Sequence, residues 1–226
     1  MRKIQRLAAV GAMAALTVAL GACSSSATPS SSSPTSAPAA APTSAAAAAS
    51  NGVTTPGDVF GAACSALPQG DMPGSLDAMG PQPVATAAST NPLLTTLVAA
   101  VGMVDGLGDT LNSAPAITVY APVDDAFAAV KTAVGDQAFN ALLADQAKLG
   151  ALLSYHVSGT RYDKDGLVAA GSSTQLAGGT VKVAESGDTL TLTGGDGNTA
   201  TVLCGNIPTS NATVFAIDKV LMPAAS

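Results

Sequence analysis

Tryptophan is absent from this 226-residue chain, and histidine occurs once, as His156. Carbohydrate sites usually want an exposed aromatic platform. With three tyrosines and four phenylalanines, most of them in core-like positions, the chain is a poor lectin candidate. One histidine also leaves little for acid–base catalysis. Serine, histidine and aspartate can meet through a fold in any chain order, but neither Gly-x-Ser-x-Gly nor Ser-x-x-Lys occurs to supply a nucleophile. The chain is therefore read as a non-enzyme. Basic residues are scarce as well, nine against fifteen acidic. Nucleic acid is excluded as a partner, because binding it requires Lys and Arg to displace phosphate counterions. Long hydrophobic runs are missing too. The apolar stretch LAAVGAMAALTVAL, residues 7–20, falls short of the roughly 20 residues that a membrane-spanning helix needs.

That stretch has a different meaning in context. Arg2, Lys3 and Arg6 precede it and LGAC, ending at Cys23, follows it. A basic start, an apolar run and small residues before a cleavage point make a secretory signal over residues 1–22. LGAC also matches the bacterial lipobox, in which cleavage precedes the cysteine and its sulfur carries a diacylglycerol. A buried methylene is worth about 0.8 kcal/mol and one acyl chain holds only marginally. The two or three chains of such lipoproteins give a lasting anchor, so Cys23 is the expected membrane contact. Without the three basic residues of the signal, six basic side chains face fifteen acidic ones, a net charge of −9.

Residues 24–50 read SSSATPSSSSPTSAPAAAPTSAAAAAS. They carry no charge, no aromatic and no large aliphatic side chain, so burial offers nothing against chain entropy. Residues 23–52 are expected to be a lipidated N-terminus and stalk, spanning roughly 30 Å as flexible coil or about 80 Å as extended polyproline II. Its composition is that of O-glycosylated stalks, with Thr28, Thr35 and Thr43 as candidate positions. Residues 53–226 remain for one domain, with no repeat of solenoid length.

The domain holds two cysteines, Cys64 and Cys204. In an exported chain such an even pair reads as a disulfide. Metal is the competing use, but two distant thiols and one histidine make a poor zinc set. DKDG at 163–166 and GDGN at 195–198 look like pieces of a calcium loop. Leu167 and Ala200 fall on required ligand positions and no suitable Glu closes either loop, so both are read as Gly-rich turns. No metal and no cofactor is expected. Asn211-Ala212-Thr213 is formally a glycosylation sequon, without meaning in a bacterial lipoprotein.

Asn91-Pro92 predicts a helix start, Asn as N-cap and Pro in the first turn, followed by Leu93, Leu94, Leu97, Val98 and Val101 at helical spacing. Ile117, Val119 and Ala121 alternate as a strand that ends at Pro122, and Asp124-Asp125 open a helix. Phe139, Leu142 and Leu143, then Leu149, Leu152 and Leu153, predict two more helices, the second running into Tyr155-His156. VKVA, TLTLT and TATVL between Gly-rich turns predict antiparallel strands, and residues 212–223 a long closing strand. The class is α+β.

Three segments together resemble the fasciclin domain: TVYAPVDDAFAAV (118–130) its first conserved block, LLSYHV (152–157) its Tyr-His motif, and ATVFAIDKVLMP (212–223) its second block. PVATAASTNPLLTTL (83–97) and VLCGNIPTSNATVFAIDKVLMP (202–223) resemble the fasciclin lipoproteins and secreted immunogenic antigens of mycobacteria. The resemblance implies a single wedge-like β-sandwich of mainly antiparallel strands with packed helices, and a Cys64–Cys204 bridge. It implies adhesion rather than catalysis. Animal members are linked to integrins through the Tyr-His region and an Asp-Ile motif; Tyr155-His156 match the first, while Ile217-Asp218 reverses the second. For His156 the resemblance implies a chiefly structural role in local hydrogen bonds, with surface recognition by Tyr155 and His156 as the other reading. The expected protein is lipid-anchored on the extracellular face of the cell membrane, with a shed or secreted form, and contacts host surface or matrix proteins. Its lipidated N-terminus would engage Toll-like receptor 2. A carrier of small molecules or lipids, or a hydrolase, at the envelope is the alternative, which requires an apolar cavity of roughly 300 Å³ or more beside His156.

Overall fold

The computed structural model describes residues 51–224. Cys23, Thr28, Thr35, Thr43 and most of the signal, stalk and anchor expectations lie outside them. In chain order the elements are α1 (Leu76–Met79), α2 (Val84–Ser89), α3 (Thr95–Gly102), α4 (Leu107–Ser113), β1 (Ile117–Pro122), α5 (Asp124–Val134), α6 (Asp136–Ala144), α7 (Gln146–Tyr155), β2 (Val157–Ser158), α8 (Lys164–Ala170), β3 (Ser172–Thr174), β4 (Thr180–Ser186), β5 (Thr189–Thr193), β6 (Thr199–Pro208) and β7 (Ala212–Ile217). Two 3-10 turns, Pro56–Asp58 and Ala62–Ala66, precede them.

The strands form a seven-stranded sheet in the order β2-β1-β7-β6-β5-β4-β3. All neighbours are antiparallel except β1 and β7, which run parallel from Ile117 opposite Ala212 to Pro122 opposite Ile217. A bridge between Ser158 and Gln175 brings the two edges together. Leu176 N–H adds a bond to Val157 C=O at 2.8 Å. The sheet is thereby almost closed on itself, which leaves little unpaired edge. Register shifts around Cys204 bend the long β6, so that its ends serve both halves of the sheet.

Two apolar cores follow from this curl. On the outer face, Ile117, Val119, Ala121, Val214 and Ala216 pack with Leu94, Leu97, Leu149 and Leu153 from the helices. On the inner face, Tyr120, Phe215 and Ile217 meet Val181, Leu190, Leu192 and Leu221. β1 and β7 are buried on both faces at every position. Their inward threonines are satisfied internally: Thr118 Oγ1 donates to Thr160 C=O at 2.9 Å and accepts from Tyr162 N–H at 2.8 Å.

Three sequence expectations change. Asn91 does not cap the helix after it. Its carboxamide oxygen accepts from Leu93 N–H at 3.0 Å within a turn, and α3 begins at Thr95. The cap comes instead from α5, where Asp124 accepts from Thr95 Oγ1 and Thr96 N–H, both at 2.7 Å. Burial acts against the charge of Asp124, but these hydrogen bonds from Thr95 and Thr96 hold its carboxyl below the usual range. DKDG is not a turn but the start of α8, with Asp163 as N-cap to Gly166 N–H at 2.8 Å. The closing strand stops at Ile217. There Asp218 turns its carboxylate back onto Thr201 N–H at 2.6 Å, ending the ladder.

Cys64 and Cys204 are joined, with Cα atoms 4.9 Å apart across 140 residues of chain. Replacing both with serine should lower unfolding stability by about 2–5 kcal/mol, measured as a shift in the denaturant midpoint; an unchanged midpoint would show the bridge to be dispensable.

Candidate functional site

His156 caps the C-terminal end of α7, and α7 delivers it into the seam between the two cores. It is 3% exposed. Nδ1 lies 2.8 Å from Leu152 C=O, one turn back. Nε2 accepts the Leu221 N–H at 2.9 Å. An accepting Nε2 places the single proton on Nδ1, which donates to Leu152; the imidazole is neutral. Burial pushes its pKa down to about 4, against the opposing pull of the Leu152 carbonyl. The backbone joins in, because His156 C=O accepts from Tyr120 N–H at 2.8 Å. One residue thus fastens α7, β1 and the segment after β7.

Tyr155 points to the opposite side and is 1% exposed. Its hydroxyl donates to Thr180 C=O at 3.1 Å and accepts from Gly195 N–H at 2.8 Å. Burial raises its pKa, with the Gly195 hydrogen bond opposing. The two rings stand edge-on, 6.5 Å apart. The Tyr-His pair is therefore a joint: His156 locks the helical side and Tyr155 the strand side. Both rings are almost wholly buried, and only Tyr155 borders a cleft open to solvent.

The apolar cavity beside His156, lined by Val84, Ala88, Leu97, Val101 and Val119 among others, measures about 50 Å³. That is room for a water or two, far below the roughly 300 Å³ at which ligand pockets begin. A larger, open cleft of about 590 Å³ lies on the other side of Tyr155, walled by Gly178, Gly179, Gly194 and Gly195, with Lys182 as its charged side chain.

Two polar anchors had no signal in the residue pattern. Arg161 is partly buried and has no carboxylate partner among the described residues; its guanidinium instead binds Gly52 C=O at 3.1 Å, Thr209 C=O at 3.0 Å and Ala212 C=O at 2.9 Å. Asn211, the formal sequon residue, donates to Leu111 C=O at 2.7 Å and Ala114 C=O at 2.8 Å and accepts from Val84 N–H at 2.9 Å. It pins α2 and α4 to the turn before β7. Among the described residues no three His, Cys, Asp or Glu side chains are placed to hold a metal ion. Asp196 accepts from Asn198 N–H at 3.0 Å within its own turn.

A near-closed sheet with a helical layer and a buried Tyr-His joint is the architecture of a fasciclin domain. Residues 92–223 match the profile of the Fasciclin domain family, and the chain belongs to that family. It is 40% identical over 177 residues to the immunogenic protein MPB70 of Mycobacterium bovis, covering 75% of this chain and 84% of that one. It is 38% identical over 179 residues to the cell surface glycolipoprotein MPB83 of the same species, covering 74% of each. Among solved structures it resembles the fasciclin domain pair of the insect cell adhesion molecule fasciclin I, with a TM-score of 0.54 and 15% identity. That match covers 62% of this chain and 51% of the domain pair, and it concerns the fold alone.

His156→Ala should lower stability at neutral pH by about 1–3 kcal/mol through the lost hydrogen bonds. The variant should also lose a pH dependence. Above the ordinary histidine value of about 6.5, both the folded and the unfolded chain hold the ring neutral. As pH falls from there toward 4, the unfolded chain takes up a proton that the folded form refuses, and stability drops by up to about 3 kcal/mol. Denaturant titrations between pH 7 and 4.5 should show this slope in the native protein and not in the variant.

Proposed function

We propose that this protein is a lipid-anchored cell-surface adhesin, which presents its fasciclin domain to host-cell or matrix proteins from a flexible stalk. The observation that carries this reading is the 38% identity, along 74% of both chains, to a cell surface glycolipoprotein. LGAC at 20–23 and the charge-free Ser/Thr/Pro/Ala segment behind it support the anchor. Among the described residues no helix is long and apolar enough to cross a membrane; in this reading the attachment is the diacylglycerol on Cys23. The acylated Cys23-Ser24-Ser25 terminus has the chemistry of ligands for Toll-like receptor 2, which makes the N-terminus a second partner-binding element. The carrier reading lacks support at His156, where the cavity is about 50 Å³.

Adhesion then uses exposed surface, with Tyr155 and His156 holding that surface in shape. Cys23→Ala should move the protein from the membrane fraction to the medium; persistence in the membrane would mean that the apolar run 7–20 is itself the anchor. Beads carrying the disulfide-bonded domain should bind host cells or matrix above beads carrying a reduced, unfolded control. Equal binding would overturn the adhesive reading.

A further inference from the structure

Residues 52–64 contain no strand and bury few large side chains, yet they are fastened along their length to β6 and the start of β7. The Gly52 carbonyl accepts from Arg161 Nε and from Thr213 Oγ1. Gly52 itself has φ +68° and sits so close to the Arg161 backbone that a Cβ would lie 2.3 Å from its carbonyl oxygen, so glycine alone fits. Further along, the Asp58 carbonyl accepts from Asn206 Nδ2 at 3.0 Å. Phe60 and Gly205 exchange both backbone bonds, at 2.8 and 3.3 Å. The phenyl ring of Phe60 fills the place of a side chain at Gly205, where a Cβ would lie 2.4 Å from ring carbons. Cys64 then bonds covalently to Cys204. The partners run backwards, 213, 206, 205, 204, as the segment runs forwards.

This arrangement has a mechanical meaning. A pull on the chain before residue 52 meets these contacts one at a time, the Gly52 clasp first. It cannot pass Cys64, where the load leaves the main chain through sulfur and enters β6. β6 lies inside the sheet, held by β5 and β7. The helices from α1 to α8 belong to the closed loop of 140 residues and are shielded.

We propose that residues 52–64 form a load-bearing strap: a polar clasp at Gly52, Arg161 and Thr213 that yields under tension, backed by a covalent stop at Cys64–Cys204 that keeps the domain folded. Released, the strap frees roughly 40 Å of contour, and the tether gains that less the span the strap already covers when clasped. Its use in the cell rests on the reading that the chain is held from its N-terminal side; the mechanics do not.

Single-molecule force spectroscopy tests this on the mature chain, with one handle at the N-terminus and one attached site-specifically at the exposed Lys182 of β4. The oxidised protein should show one early event of at most about 40 Å, then no lengthening until the sheet ruptures. In the Cys64→Ser, Cys204→Ser variant the lengthening should continue through the helices to roughly 400 Å. Arg161→Ala should abolish the force peak of the early event. Thr213→Val, which keeps the buried volume and removes the other donor, should weaken it if Arg161→Ala fails to fold. An early event much longer than the strap in the oxidised protein, or one unchanged in both clasp variants, would overturn the proposal. Membrane retention of Cys23→Ala would remove the anchor reading and leave the measured strap intact.

Discussion

The parallel pairing of β1 with β7 is the constraint on which the rest of this domain depends. Six consecutive residues on each strand are in register, and every one is buried. A strand covered on both faces must supply apolar side chains to both, and parallel pairs favour such a site. Ile117, Val119 and Ala121 therefore take the helical layer, while Tyr120 and Phe215 fill the inside of the curled sheet. The pair also joins chain segments almost a hundred residues apart, which makes it an entropically demanding contact. The other fastenings gather round it: His156 on Tyr120 N–H, Arg161 on Thr213, Asn211 at the entry to β7.

Seen from that pair, the Tyr-His motif acquires a physical reason. α7 approaches the sheet where the two cores meet, and the chain must turn there from helix into the short β2. An aromatic residue on each side of the turn closes both cores. Tyr155 offers a hydroxyl that bonds in two directions, and His156 offers one donor and one acceptor nitrogen. A neutral imidazole suits this role, because a second ring proton would face the Leu221 N–H donor. The surface built over such a joint inherits its shape from it.

The elements most legible in the sequence were those with local causes. The helix start at Asp124-Asp125, the Leu spacing of α6 and α7, and the Gly-punctuated strands all appear where pattern places them. The disulfide was legible from an even pair of cysteines behind a secretory-signal pattern. At DKDG the local cap of Asp163 on Gly166 was misread as a turn, and in two other places a distant residue had decided the matter. Asp124 displaced Asn91 as the cap of α3 across 28 residues of sequence, and Asp218 ended β7 although hydrophobic residues continue beyond it. Arg161 and Asn211 carry no periodicity, and their partners are backbone carbonyls, which no sequence pattern marks.

What the sequence by itself determined was family and composition: a Ser/Thr/Pro/Ala-rich segment without large apolar side chains, a longer segment that has them, and three blocks that mark the family. Composition and periodicity suffice for these, because they depend on each residue's own chemistry and its near neighbours. The tertiary structure alone decided which strands lie side by side, that one pair is parallel, and that Tyr155 and His156 face inward. Those outcomes depend on which distant groups can satisfy one another once water is gone, and desolvation is a property of the packed whole.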